Sequence, residues 1–234
     1  MTAPLCLLTR PEAQSRAFAA GLPGIEVLIA PILRIVPRDF DPAPIARAPG
    51  LIFTSVNAVP FAGPGAGRRA LCVGPQTGAA ARAAGFAVTE GPGDAEGMLP
   101  LLAGREDWLH LHGRHRAREL PVPGLAVYDQ VPQPLGEDAR AVLAGTRPLI
   151  LPLFSPRSAE LLSEAMGAAA AAPIAAPIAT VAISPRADAA FRGPAALRRI
   201  AATPDRAGMR QAILSLADAE RSGVPWVEAT TGDG

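Results

Sequence analysis

The stretch Leu149-Ile150-Leu151-Pro152-Leu153-Phe154-Ser155-Pro156 decides the fold: a short apolar run, a small hydroxyl residue, a proline and then a helical pattern. Proline suits a first helical position, where its missing N–H would be unpaired anyway, and it pushes the residue before it toward extended geometry. The stretch therefore reads as strand, tight turn and helix. The same order recurs where Leu5 to Leu8 precede Thr9-Arg10-Pro11 and Ala70 to Val73 precede Gly74-Pro75. It recurs again where Ala179 to Ile183 precede Ser184-Pro185 and Leu197 to Ala202 precede Thr203-Pro204. Thr9, with Glu12 three residues on, fits a capping box. Strands alternating with helices of about ten to fifteen residues predict parallel sheets with helices on both faces, an α/β protein.

The pattern also repeats internally. Leu-Ile-Phe-Thr-Ser at 51–55 resembles Pro-Leu-Phe-Ser-Pro at 152–156, and Val-Gly-Pro-Gln-Thr at 73–77 resembles Ile-Ser-Pro-Arg-Ala at 183–187. Two similar halves follow. Prolines and short polar runs near Pro31–Pro44 and Tyr128–Pro134 are the natural places for the chain to cross between them. The segment from Ser222 to Gly234 reads as a polar tail apart from Trp226.

Composition bounds the function. The chain has 234 residues, 49% apolar and 18% charged, with 22 basic against 21 acidic side chains. This is a globular composition with a real core. A net charge of +1 and 4% aromatics give neither the field nor the stacking platforms that nucleic-acid binding uses. Every basic residue is arginine. Without lysine, Schiff-base chemistry, pyridoxal phosphate attachment and a Walker A loop are excluded within this chain. Cys6 and Cys72 sit in apolar runs and read as buried thiols of a reducing compartment, so the cytoplasm is the expected location. Arg10 and Glu12 interrupt the apolar stretch near Met1, which argues against a secretory signal. The uncharged run from Ala165 to Pro185 contains Pro173 and Pro177, so a helix end, a loop and a strand explain it better than a membrane span.

Ligands of open parallel sheets gather at the carboxyl ends of the strands, where helix N-termini present unpaired N–H groups. Those turns carry Thr9, Thr54, Ser55, Gly74, Gly113, Ser155, Ser184 and Thr203. Many neutral donors suit a ligand with several carboxylates; the plainer reading of each hydroxyl is a helix N-cap. The loop after Trp108-Leu-His-Leu gathers Arg114, Arg116 and Arg118 with His112 and His115, either an anion-binding loop or a solvated basic one. His110 and His112 share a strand face, but no cysteine or carboxylate stands at ligand spacing for a metal. Gly63-Pro-Gly-Ala-Gly precedes a strand instead of following one, so it reads as a turn. No Gly-x-Ser-x-Gly elbow exists. Tyr128, the only tyrosine, lies in Leu-Ala-Val-Tyr-Asp at a proposed crossing. A phenol stays protonated at neutral pH, so it could give a proton to a departing hydroxyl, or merely sit in an amphipathic strand.

Taken in order, these residues resemble the uroporphyrinogen-III synthase family. The resemblance runs through Leu-Leu-Thr-Arg-Pro (7–11), Ala-Pro-Ile-Leu (30–33), Ile-Phe-Thr-Ser-x-Asn-Ala-Val (52–59), Val-Gly-Pro-x-Thr (73–77) and Gly-Asp-Ala-Glu-Gly-Met (93–98). It continues through His-Gly-Arg (112–114), Val-Tyr-Asp (127–129), Phe-Ser-Pro-Arg-Ser-Ala (154–159), Ile-Ser-Pro (183–185) and Ala-x-x-Pro (201–204). It implies two flavodoxin- or Rossmann-like parallel-sheet domains joined by a two-stranded linker. Residues 1–33 and 132–225 would form a discontinuous first domain and 37–126 the second, with 34–36 and 127–131 as linker and 226–234 as tail. It implies no cofactor, and a lyase that closes hydroxymethylbilane with inversion of ring D through a spiro intermediate. Eight carboxylates of that linear tetrapyrrole would be anchored in a cleft between the domains, and hydroxymethylbilane synthase is the implied upstream enzyme.

Tyr128 and Thr77 fall at family positions associated with activity. By the same matching, substrate would be bound by Thr9, Arg10, Thr54, Ser55, Asn57, Gly74, Gly113, Arg114, Arg118, Ser155, Arg157, Ser158, Ser184 and Thr203. Two positions depart from the family pattern. His112 stands before Gly113 where many members have arginine, and Ala187 stands where several repeat a threonine. The residues alone leave two rivals: a non-catalytic tetrapyrrole or polyanion binder on the same fold, and a nucleotide-binding α/β protein. The missing Gly-x-Gly-x-x-Gly and Walker A patterns count against the second.

Overall fold

The structure, a computed structural model, describes residues 3–116, 118–168 and 173–222. In chain order its first elements are β1 (Leu5–Leu8), α1 (Glu12–Ala19), β2 (Glu26–Ile29), β3 (Leu33–Pro37), α2 (Ala43–Arg47) and β4 (Leu51–Phe53). A 3-10 helix at Val56–Ala62 leads to β5 (Arg69–Cys72), α3 (Pro75–Ala83) and β6 (Ala87–Glu90), and a second at Leu99–Leu102 leads to β7 (Leu109–Gly113) and β8 (Gly124–Pro132). The chain closes with α4 (Glu137–Ala144), β9 (Leu149–Leu153), α5 (Pro156–Ala168), β10 (Ile178–Ala182), α6 (Pro185–Ala190), β11 (Leu197–Ile200) and α7 (Arg206–Arg221). Contacts divide it into two compact units, Met1–Arg34 with Pro132–Gly234, and Ile35–Val131.

The first unit holds a five-stranded sheet in the order β11-β10-β9-β1-β2, parallel throughout. Parallel sheets are covered on both faces, so their central strands must be apolar along their whole length. β1, β9 and β10 are buried at every residue, whereas the edge strands β2 and β11 are exposed or only partly buried along their length. One face packs Leu7, Leu149 and Leu151 against Ala139 of α4, Leu162 of α5 and Phe191, which follows α6. The other packs Cys6, Leu8 and Ile150 against Phe18 of α1 and Met209 and Ile213 of α7.

The second unit holds a six-stranded sheet, β3-β8-β7-β4-β5-β6. Its five strands from β8 to β6 are parallel. β3 runs the other way: the Arg38 N–H donates to the Val127 carbonyl and the Gln133 N–H to the Ile32 carbonyl, a register that descends along β8. Phe53, Cys72 and Leu111 pack with the first 3-10 helix and α3, while Ile52 and Leu71 pack with Met98, Leu102 and Leu120 on the opposite face. Gly50 lets Trp108 close that second face, because a Cβ there would meet the indole at 2.5 Å.

The repeat in the sequence corresponds to a shared sheet. Setting β4 against β9 and β5 against β10 aligns β6 with β11, β7 with β1 and β8 with β2, so both sheets have one spatial order. The chain enters that order at different strands, a circular permutation. Three of the five prolines begin helices, at Pro75, Pro156 and Pro185.

Two local expectations fail. Helix α1 starts at Glu12 with Pro11 as its cap residue and no side-chain cap, so Thr9 and Glu12 form no capping box; Glu12 instead accepts from Arg16 at 2.6 Å. The connections are also shorter than ten to fifteen residues in most cases, and two are 3-10 helices that carry Pro60 and Pro100, which interrupt α-helical hydrogen bonding. No helix among the described residues is long and apolar enough to cross a membrane. Residues 169–172 of the uncharged run, and 223–234 with the tail and Trp226, lie outside the described residues.

Burial makes a prediction about stability. Leu151→Ala, in the fully buried centre of β9, is expected to cost about 2–5 kcal/mol, whereas Ile200→Ala on exposed β11 costs under about 0.5 kcal/mol. Urea titrations that gave the two variants equal midpoints would contradict this packing.

Candidate functional site

In the six-stranded sheet β4 and β7 are adjacent, and the segments that follow them pack on opposite faces. Such a switch in winding opens a crevice at the carboxyl ends of the two strands. The turns there contribute Thr54, Ser55 and Asn57 after β4, and Gly113 at the end of β7. Tyr128 reaches the same place through a bulge. His112 pairs with Ala126 but Gly113 pairs with Tyr128, so Val127 is an extra residue in β8 and the strand turns its phenol toward Gly113.

Gly113 is required by that approach, since a Cβ there would fall 2.6–3.0 Å from the Tyr128 ring and hydroxyl. The ring is buried and stacks on Phe61 at 6.0 Å between centroids. Burial raises the pKa of the phenol, against hydrogen bonds from Ser55, Asn57 and the Gly113 backbone that act to lower it. The phenol therefore keeps its proton at neutral pH while its oxygen accepts hydrogen bonds. The Ser55 hydroxyl also accepts from the Asn57 N–H at 3.2 Å, which fixes the first turn of the 3-10 helix.

Beside this group lies a buried polar chain that sequence reading only grazed. Thr54 Oγ1 is 2.8 Å from His110 Nε2, and the His110 and His112 rings stand 4.9 Å apart. His112 Nδ1 lies 2.7 Å from the Gly113 carbonyl, which cannot donate, so Nδ1 carries a proton. Burial lowers His110 to about 3, with the charges of His112 and Arg116 adding to it. Burial lowers His112 too. Both imidazoles are thus neutral hydrogen-bonding groups. Among the described residues no three His, Cys, Asp or Glu side chains gather where they could hold a metal.

Gly74 caps α3, and Thr77 in its first turn is buried. The 93–98 motif lies beside them, because the Gly93 N–H donates to the Val73 carbonyl at 2.7 Å with a positive φ of 114°. The basic loop after β7 is paired with carboxylates outside it. Arg114 meets Asp129 at 3.5 Å and Arg118 meets Glu96 at 3.4 Å. Asp129 is held below the usual carboxylate range: burial opposes its ionisation, but the Gln130 N–H and the charges of Arg114 and His115 outweigh it.

In the five-stranded sheet the corresponding crevice lies between β1 and β9, whose helices α1 and α5 pack on opposite faces. Thr9 is buried there, and the Arg10 guanidinium lies 4.3 Å above the Phe154 ring. Ser155 and Ser158 are 2.8 Å apart, and the Ser155 hydroxyl accepts from the Ser158 N–H as the cap of α5. Arg157 Nε is shielded from solvent without a hydrogen bond. Ser184 caps α6 through the Ala187 N–H at 3.3 Å. Thr203 donates to Asp205, which itself caps α7. Hydroxyls at 155 and 184 therefore do serve as caps, and cysteine chemistry is remote: burial pushes Cys6 up to about 12 and Cys72 up to about 11. Sequence reading missed Phe61, Arg206 and Arg210; only their place in the fold marks them.

This arrangement defines an α/β protein with ligand-type turns at the carboxyl ends of parallel strands. The family model described as uroporphyrinogen-III synthase HemD matches residues 19–211, and the chain belongs to the uroporphyrinogen-III synthase family, lyases of porphyrin and haem biosynthesis. Among solved structures, the uroporphyrinogen-III synthetase of Helicobacter pylori is similar over 92% of this chain and 100% of that one, at 16% identity and a TM-score of 0.60, which shows a shared fold. A mutant uroporphyrinogen III synthase from the extremely thermophilic bacterium Thermus thermophilus aligns over 93% of this chain and 100% of its own, at 17% identity and a TM-score of 0.48. No curated protein sequence matches the chain.

The buried histidine makes stability depend on acid. The folded protein holds His110 neutral down to about 3, while the unfolded chain protonates near 6.5. Its contribution is therefore complete above about pH 6.5 and declines as pH falls toward 3, by up to about 1.4 kcal/mol per pH unit. Urea midpoints should fall between about pH 7 and 5, and fall less in His110→Gln. A wild-type protein no more acid-sensitive than this variant would refute the buried neutral imidazole.

Proposed function

We propose that the chain catalyses closure of hydroxymethylbilane to uroporphyrinogen III with loss of water and inversion of ring D. The observation that carries this reading is the buried, protonated Tyr128 phenol, whose oxygen accepts from Ser55, Asn57 and Gly113. Donors on the oxygen make the phenol a better acid, and its proton remains available to a departing hydroxide.

In this reading Tyr128 protonates the leaving hydroxyl, releasing water and an azafulvene. The azafulvene carbon bonds to the substituted carbon of ring D, giving a spiro centre. The older bond from that carbon to its methylene bridge then breaks, the bridge bonds to the unsubstituted carbon of ring D, and the proton released there restores the aromatic ring and replaces the one that Tyr128 gave up. No oxidant or reductant is consumed. Most of the rate comes from enforced geometry, because the intramolecular bonds form once the reacting carbons are held together.

Thr77 is assigned to the same reaction, and the carboxylates to the turns at Thr9, Arg10, Thr54, Ser55, Asn57, Gly74, Gly113, Ser155, Arg157, Ser158, Ser184 and Thr203. With the serine hydroxyls at 155 and 184 already capping helices, the adjoining backbone N–H groups become the donors there. Arg114 and Arg118 are assigned to substrate through exchange of their Asp129 and Glu96 partners. We take the two contact units to be the two domains of the resemblance, the β3–β8 pair to be its linker, the cytoplasm to be the location, and hydroxymethylbilane synthase to be the supplier.

The test feeds freshly generated hydroxymethylbilane to the protein, oxidises the products and separates type I from type III uroporphyrin. Type III in excess is expected, with turnover reduced about a hundredfold or more in Tyr128→Phe. Type I alone would sink the catalytic reading and leave the non-catalytic tetrapyrrole binder. Wild-type turnover in Tyr128→Phe would remove the phenol from the mechanism.

A further inference from the structure

Cationic charge collects in the first unit where the described residues supply no carboxylate to balance it. Arg16, Arg147 and Arg198 of that unit each meet a carboxylate within 3.0 Å. The guanidinium groups of Arg10 and Arg206 have no hydrogen bond or ion pair among the described residues. Arg206 Nε and Nη2 are fully shielded from solvent and unpartnered. Leaving such donors buried and unmet is costly, and an oxyanion placed there would meet them.

Their setting is organised. Arg10 leaves the end of β1 with its guanidinium carbon 4.3 Å from the centre of the Phe154 ring at the end of β9, a cation–π contact that uses none of its N–H donors. Phe154 is fixed in turn by an edge contact to Phe18 at 4.9 Å. Arg206 is near enough that its charge adds to burial in lowering Arg10 to about 10. Arg210, one turn along α7, has a structural task. It donates to the Ala17 and Phe18 carbonyls near the end of α1 at 3.3 and 3.4 Å and adds a fixed positive neighbour to Arg206. The acid next in sequence, Asp205, is occupied by the Gly208 N–H and Thr203. In the permuted equivalence of the two sheets, the β7 end carries Arg114, which has Asp129 as its counter-charge; among the described residues Arg10 at the β1 end pairs with none.

We propose that Arg10 and Arg206 form an oxyanion subsite at the β1–β9 crevice that takes one carboxylate of the tetrapyrrole. The choice of ligand rests on the function proposed above; the subsite itself rests on the unpaired guanidinium groups. Two arginines can hold a carboxylate by charge-assisted hydrogen bonds that neutral helix N–H groups do not match in strength. One acid group of the substrate is thereby fixed more firmly than the rest and sets the register of the whole chain of rings.

The test compares wild type, Arg206→Met, Arg206→Lys and Arg210→Met. Arg206→Met should bind uroporphyrin III about tenfold or more weakly, with Arg206→Lys recovering part of the affinity. The KM for hydroxymethylbilane should rise by a similar factor while kcat holds. Removing an unpaired charge should leave the Tm of Arg206→Met equal or higher, whereas Arg210→Met should melt lower. Equal porphyrin affinity in wild type and Arg206→Met overturns the subsite, as does weakened affinity accompanied by a lower Tm. Inorganic phosphate that stabilises wild type but not Arg206→Met, with porphyrin affinity unchanged, would assign the site to free phosphate and overturn the carboxylate. A wild type that makes no type III product, while Arg206→Met still loses porphyrin affinity, sinks the proposed reaction and keeps the subsite.

Discussion

Each unit depends on one constraint: parallel strands buried on both faces must send their connections to both sides. Where two neighbouring strands send them to opposite sides, the carboxyl ends part and backbone N–H groups face a crevice. In the six-stranded sheet that pair is β4 and β7; in the five-stranded sheet it is β9 and β1. Thr54, His110, Gly113 and Tyr128 in one unit, and Thr9, Arg10, Phe154 and Ser155 in the other, belong to these pairs, to the turns that follow them or to the strand beside them. The permutation matters here, because it preserves the crevice while changing which part of the chain supplies each wall.

Burial then sets the chemistry within each crevice. Around Tyr128 it strips charge: His110 and His112 are neutral and the phenol keeps its proton. What remains is a set of neutral donors and acceptors aimed by a bulge and by a glycine that admits the ring. Around Arg10 burial cannot remove charge, because a guanidinium lowered only to about 10 stays protonated at neutral pH. One half of the repeat therefore presents neutral donors beside arginines that are paired with carboxylates, and the other presents arginines without them among the described residues.

Much of the fold was legible because it rests on local rules. Apolar runs as short as those at 5–8, 149–153 and 178–182 suit strands buried on both faces, and proline with a small turn residue marks where helices begin. The repeat at 51–55 and 152–156 was legible for the same reason, since equivalent strands end in equivalent turns. The capping box at Thr9 was not, because Pro11 moved the helix start and left Glu12 in its first position. Nor were the 3-10 connections, where Pro60 and Pro100 limited what apolar periodicity alone suggested.

The site was legible only where it coincides with a turn. Thr54, Ser55 and Gly113 stand in strand-end turns, so pattern reading reaches them; Phe61 and Arg206 do not, and nothing in their neighbours distinguishes them from core and surface residues. The bulge that brings Tyr128 opposite Gly113 depends on pairing between strands whose register is not written in either one alone. Charge balance is harder still. A net charge of +1 conceals the difference between Arg114, which finds Asp129, and Arg10, which finds no carboxylate among the described residues, because pairing is decided by distance in the fold and not by composition. Groups that stay unpaired in a folded protein cost stability that a better-packed side chain would restore. An arginine kept under those terms, beside two others of like charge, is more economically explained by what it binds than by what it holds together.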